Sequence, residues 1–452
     1  MNSKTKNILL WLGVILAAGL LERAALWIAY PVAAGNDTQT YLHLSSSIRN
    51  NPDFSLYNGT RTPGYPLFLM WAGSNSAAYL IQLFLGLLTT LLVFYIALKL
   101  SKRPWFAGLL ALAHTLNLGQ LFFEAALLSE ALSTFLLFLC MAGLIFLFLP
   151  SEPSPNSPKA FSFNGKNLLA SLLVGLAAVA LAMTRPLFAF VPFWGAFFLL
   201  FWGHKTNLKT RLAQAVLVLV PTLVILLLWV NFIHSHFNII GLDSIGGYHL
   251  VNHVSSFFEL TPDQYSAIRE TFLKFRASHI AESGSPVNTI WDAIPQLMKQ
   301  THLNYYSLGR LMGKISTDLI RAHPDLYLQN LARGWWWFWK VGVFWLPGGF
   351  SISWVRSLLS GLMLLERWVL FGVNLLFLAG SLALLPPKTR TWLKPNSFLW
   401  FSVGAIWITS ILQTLAEHGD NARFLAPMQT LVLLVVAGWC LNLFSQMKAK
   451  QV

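Results

Sequence analysis

The sequence predicts an all-α polytopic membrane protein with about ten membrane-spanning helices. Three observations predict it. Hydrophobic residues make up 56% of the 452 and charged residues 11%, against roughly 25% charged in a soluble domain. The apolar residues fall in long blocks, among them 75–98, 125–149, 211–232, 366–385 and 424–444. Each block is close to the ~20 residues that cross a ~30 Å hydrocarbon layer. Basic residues alternate with these blocks and gather on one side.

That alternation sets the orientation. With the N-terminus taken as cytoplasmic, the inner segments are 1–7, 99–104, 150–167, 203–211, 385–396 and 445–452. They hold fifteen lysines and arginines against a single acid, Glu152, so the whole net charge of +14 resides there. This is the positive-inside signal, and it leaves no basic face for nucleic acid. Cys140 and Cys440 both fall inside predicted spans, so no disulfide framework is expected. The first span, 8–30, is too long for a signal peptide and has no small-residue cleavage site after it, so it is expected to stay attached.

The predicted spans lie near 8–30, 75–98, 104–120, 124–149, 168–184, 187–203, 211–233, 362–385, 397–415 and 424–444. The third is interrupted early by Asn117, Gly119 and Gln120. Arg103 and Lys159 both belong inside, however, so 104–149 crosses twice with a turn near 117–120. Two segments between spans are large. In the first, 31–74, residues 37–48 form a surface helix with Tyr41, Leu44 and Ile48 on one face. The second, 234–356, is a mostly helical outer domain between transmembrane modules 1–233 and 357–452. Thr261, Pro262 and Asp263 read as an N-cap, an N1 proline and a first-turn acid, opening a helix towards Gly284. Further helices are expected at 291–302, 305–322 and 324–332. The Trp-rich run 335–347 is too short to span and reads as an interfacial belt. The Pro/Ser-rich stretch 150–166 reads as a disordered linker.

Chemistry is expected at the outer span ends. An ionisable side chain at mid-membrane costs ~2.5–3.5 kcal/mol, and less near an interface. Asn36 and Asp37 with Arg61, Glu124 with Glu130, Arg185, and the 417–423 stretch all fall on one side. Carboxylates beside arginines there suit a substrate whose phosphate lies in the lipid headgroup layer.

The order of these features resembles the GT-C superfamily of membrane glycosyltransferases, in its protein-mannosyltransferase-like and aminoarabinose-transferase-like branch. The residues that carry the resemblance are Gly35-Asn36-Asp37-Thr38 with Tyr41, then Arg61-Thr62-Pro63-Gly64-Tyr65-Pro66 and Leu128-Ser129-Glu130-Ala131-Leu132. Thr184-Arg185-Pro186, His323-Pro324 and Arg423-Phe424-Leu425-Ala426-Pro427 follow in the same order. The resemblance implies an inverting, extracytoplasmic glycosyltransferase in a bacterial plasma membrane. Its donor is a polyprenyl-phosphate sugar, and its acceptor a lipid, a glycan or a protein. It also implies that the first-loop acid, Asp37, is catalytic, acting as a general base on the acceptor. Relatives often carry two adjacent acids here, a setting for a divalent cation, whereas this chain has Asn36 beside Asp37.

Glu130 and Glu124 are further catalytic candidates, and Tyr41, Arg61, Tyr65, Arg185 and Arg423 are substrate-binding candidates. Each has a plainer reading. Asp37 could cap the surface helix. On one continuous helix Glu124 and Glu130 point ~120° apart, so both serve one site only if Glu124 lies in the turn. Arg61 and Arg185 could snorkel to headgroups, Arg423 could pair with Asp420, and the Arg61–Pro66 stretch could be only a turn. His234-x-His236 and His249-x3-His253 have metal-like spacings, but no acid or cysteine completes a set. Two other functions compete: a flippase or transporter of lipid-linked sugars, and an O-antigen-type ligase or polymerase. The apolar span interiors argue against the first, and the early acidic loop against the second.

Overall fold

The computed structural model describes residues 2–35, 37–149, 165–202, 207–393, 395–419 and 421–450. Asn36, Asp420 and nearly all of the predicted 150–166 linker lie outside the described residues. Among the described residues the fold is all-helical, with no strand.

The first module contains α1 (Ser3–Ala29), α2 (Thr38–Asn50), α3 (Gly64–Ala72), α4 (Asn75–Ser101), α5 (Pro104–Thr115), α6 (Leu118–Ala125), α7 (Glu130–Phe148), α8 (Gly165–Thr184), α9 (Val191–Trp202) and α10 (Leu208–Phe237). A helical domain follows, with α11 (Gly246–Val254), α12 (Ser266–Ser283), α13 (Thr289–Thr301), α14 (Tyr305–Ala322) and α15 (Pro324–Phe338). The last module holds α16 (Ser353–Ala383), α17 (Pro387–Leu393), α18 (Ser397–Ala416) and α19 (Ala426–Lys450).

Eight of the described helices are long and apolar enough to cross a membrane, and the chain is an integral membrane protein. The two remaining predicted spans take other forms. α5 and α6 meet at a 52° bend and make a ninth span only if counted together. The bend lies at Asn117, whose side chain accepts from the Gln120 N–H and starts α6. The predicted 187–203 span is the apolar piece Pro186–Trp202, shorter than the eight others, and it opens on a 3₁₀ turn after the break at Arg185 and Pro186.

Burial separates inner helices from outer ones. α4 and α7 each bury 56% of their most apolar window, and α18 and the final span 61%, whereas α1, α10 and α16 bury only 17%, 22% and 22%. Apolar surface left open on that scale belongs against lipid. α4, α5, α7, α8, α18 and α19 share one apolar core, and α11 to α14 have a second of their own.

α2 exists as its spacing predicts, burying Tyr41, Leu44 and Ile48. The Trp-rich run differs from a surface belt. α15 continues through Phe338, and Phe338 and Trp339 are fully buried. Trp339 stacks 5.6 Å from Phe377 of α16, and Trp335 stacks 5.9 Å from Trp407 of α18. Composition alone cannot tell a belt from an aromatic joint between two modules. Phe338 and Trp339 belong to the joint, while Trp336 stays 41% exposed.

Candidate functional site

Two short extended stretches bring the first loop onto the start of α7. The Ala33 N–H donates to the Ala125 carbonyl, and the Leu127 N–H donates back to Ala33, both at 2.9 Å. Thr38 adds a hydroxyl bond to the Leu127 carbonyl at 3.0 Å. Asp37 therefore sits beside Glu130, the first residue of α7. The turn before α3 is fixed from the other side. A Cβ on Gly64 would lie 2.5 Å from backbone atoms of Met183 and Thr184, so glycine lets this turn lie against the end of α8, next to Arg185.

The result is a continuous ionic chain. Arg61 Nη2 lies 2.8 Å from Asp37 Oδ1, and Arg423 Nη1 lies 2.9 Å from Asp37 Oδ2. The Arg423 Nε also donates to Glu130 Oε1, which Arg185 Nη2 approaches at 3.4 Å. The Arg185 guanidinium lies over the Phe424 ring, 4.6 Å from its centroid. Among the described residues, three guanidiniums and two carboxylates thus make up the chain. Glu130 is fully buried and Arg185 nearly so, yet Glu130 Oε2 and Arg185 Nη1 have no hydrogen-bond partner. An unused buried guanidinium donor is a setting for an anionic oxygen.

The plainer readings can now be weighed against this geometry. Asp37 occupies the N-cap position of α2, but its side chain caps nothing, because both oxygens are taken by arginines. Burial opposes its charge, but Arg61 and then Arg423 outweigh this and hold the carboxyl down to about 2. Arg61 turns inward to Asp37 and does not reach out for headgroups. Its pKa is raised, since the Asp37 charge outweighs burial. Two guanidiniums on one carboxylate also repel a divalent cation, and no described group of three His, Cys, Asp or Glu side chains is arranged to hold a metal.

Two predicted residues stand apart from the chain. Tyr65 packs edge-on to Tyr41 at 4.8 Å, but its hydroxyl donates to Gln82 Oε1 at 2.8 Å. Gln82 in turn donates to the Glu124 and Ala126 carbonyls, bracing the turn between α6 and α7. Glu124 lies on α6 and pairs with Arg23 of α1, at 2.7 and 2.9 Å. Tyr41, by contrast, stays near the chain, its hydroxyl 3.5 Å from Ser129. Sequence reasoning did not single out Arg23, Gln82 or Phe424 as individual contacts. Arg23 had one signal: a charge well inside an apolar helix.

Behind Arg423 stands a group of histidines that the sequence scattered. His253 of α11 and His418 stack at 5.7 Å, and Trp337 also stacks on His418, at 5.8 Å. His249 Nδ1 is 3.7 Å from Glu417. Asn421 donates to the Gly334 carbonyl, tying the Arg423 segment to α15. Burial pushes both His253 and His418 down to about 4, helped by His418 and His249 for the first and by Arg333 for the second.

Between pH ~6.5 and ~4 the unfolded histidines bind protons and the folded ones do not, so stability falls as pH falls. The loss approaches about 3 kcal/mol per histidine at most. Thermal unfolding in detergent should show this acid slope, and His418→Gln should remove roughly half of it. An unchanged slope in that variant would mean the pair does not titrate as described. Asp37 acts in a lower window, its stabilisation being lost from about pH 4 towards 2.

Compared with known proteins, the chain matches no protein-family profile, no curated protein and no solved structure.

Proposed function

We propose that this chain is a GT-C-type membrane glycosyltransferase, moving a sugar with inversion from a polyprenyl-phosphate donor to a lipid, glycan or protein acceptor. Its site faces outward, a reading that the charge asymmetry of the loops supports, and the family resemblance suggests a bacterial plasma membrane. One observation carries the reading. Residues from the first loop, α7, the end of α8 and the start of the last span meet in the Arg61–Asp37–Arg423–Glu130–Arg185 chain, where a buried Arg185 donor is left without a partner.

The chemistry follows from charge. A polyprenyl-phosphate sugar is a phosphodiester. As the acceptor oxygen or nitrogen bonds to the anomeric carbon, the bond from that carbon to the phosphate oxygen breaks. The phosphate leaves with the electron pair as a doubly charged monoester. Guanidiniums aimed at that phosphate stabilise charge that grows only in the transition state. Asp37 takes the acceptor proton. Held by two arginines it is a weak base, and it becomes a better one when the donor phosphate draws those arginines away.

The test is on the donor side. Lys cannot reproduce the parallel bonds of a guanidinium to phosphate. Changing Arg61, Arg185 or Arg423 to Lys should therefore raise the donor KM by roughly 10–150-fold, the equivalent of ~1.5–3 kcal/mol, and leave the acceptor KM unchanged. Free polyprenyl phosphate should compete with the donor. Failure to compete, or turnover of a soluble nucleotide sugar, sinks the proposal.

A further inference from the structure

A concavity of about 260 Å³ opens between the last turn of α10 and the first turn of α14. Its polar wall is formed by Ser235, His236, Asn238, Asn304, Ser307 and Arg310, and no carboxylate lines it. Phe237 and Tyr306 complete it, their rings 4.7 Å apart. Arg310 is fixed in place by donating to the Phe237 carbonyl at 2.8 Å and to Ser307 Oγ at 3.0 Å. Those bonds use two of the five guanidinium N–H groups. A fixed cation among hydroxyls and amides, with no acid to compete, is suited to phosphate oxygens.

Position identifies the source of the phosphate. α10 has 30 residues, or about 45 Å of helix, and must leave a ~30 Å hydrocarbon layer at one end or both. Leu227 and Leu228 are 61% and 62% exposed, while Ile240, just past the helix, is 84% exposed. Ser235 lies only about 10–12 Å along the axis from those leucines, the spacing from acyl chain to headgroup. A lipid tail lying on the open face of α10 would carry its phosphate to this concavity. A soluble anion would have no use for the apolar face.

We propose that the concavity binds the phosphate headgroup of an anionic membrane lipid, as a site distinct from the ionic chain around Asp37 and independent of the donor reading. An ammonium-bearing headgroup fits worse, since no carboxylate is there to receive its cation. The Tyr306 hydroxyl also donates to the Asn58 carbonyl at 3.3 Å, and Ser244 Oγ donates to the same carbonyl at 3.0 Å. A lipid held here therefore steadies the loop that carries Arg61.

The experiment is thermal unfolding of the purified full chain in detergent, titrated with short-chain phosphatidylglycerol, phosphatidylcholine or inorganic phosphate. Phosphatidylglycerol should raise the Tm saturably and the other two should do little. Arg310→Gln should weaken the phosphatidylglycerol response about 10-fold or more. Equal responses of wild type and variant overturn the proposal. So does a full shift from inorganic phosphate alone, which would mark a site for a free anion. If Arg310→Gln does not fold, Ser307→Ala, which frees only one guanidinium arm, should weaken the response a few-fold, and an unchanged response counts equally against the site.

Discussion

Asp37→Asn should reduce turnover by about 10²–10⁴ without weakening donor affinity, the usual consequence of removing a general base. The substitution keeps the size of the side chain. Its amide oxygen can still accept from Arg61 or from Arg423, but the amide nitrogen then faces the other guanidinium, donor against donor. About a quarter of the Asp37 side chain is exposed, so that mismatch can relax into water and the fold should survive. The measurement is single-turnover and steady-state transfer by purified protein whose Tm has been checked. Full activity in the Asn variant would leave Asp37 as a tie between two arginines and nothing more. A pH profile adds an independent test. In the free protein the carboxyl is held down to about 2, and donor phosphate competing for Arg61 and Arg423 lets it rise. The acid limb of kcat, which reports the bound complex, should therefore lie at higher pH than that of kcat/KM.

How much of this was legible beforehand varies residue by residue. α2 was legible because Tyr41, Leu44 and Ile48 repeat at helical spacing, and all three are buried. The members of the ionic chain were legible as charges at span ends, where a charge without a reason is costly. Their pairing was not. Arg61 is 24 residues from Asp37 and Arg423 is 386 away, and no local rule selects those partners. Asp37 as a cap was a fair local inference, overridden because two guanidiniums bind a carboxylate more strongly than backbone N–H groups do. In the Trp-rich run composition gives amphipathic character without direction, and Trp335 and Trp339 pack into the bundle while Trp336 stays exposed. The two histidines that stack behind Arg423 come from segments that only tertiary packing brings together.

Arg23→Met should destabilise the protein by about 3–5 kcal/mol, the cost of leaving a buried charge without its partner. Arg23 and Glu124 are both buried, and the pair is doubly hydrogen-bonded, with Thr115 Oγ1 taking a further Arg23 bond at 2.8 Å. The pocket around the carboxylate is narrow. A Cβ on Gly86 would lie 2.0 Å from Glu124 Oε1, so glycine at this position lets the carboxylate lie directly against α4. Adding Glu124→Gln to Arg23→Met should recover most of the loss, because no charge is then stranded. Thermal unfolding of the two single variants and the double variant measures the coupling directly. The same set separates two roles for Glu124. If it joins α1 to α6, as its contacts indicate, Glu124→Gln alone loses stability while turnover per folded molecule stays within a few-fold of wild type. If it acts on substrate, turnover collapses at unchanged Tm, and the double variant, though refolded, stays inactive. The first outcome is expected, because the carboxylate is fully buried against Arg23 of α1 and makes no contact with the Arg61–Asp37–Arg423–Glu130–Arg185 chain.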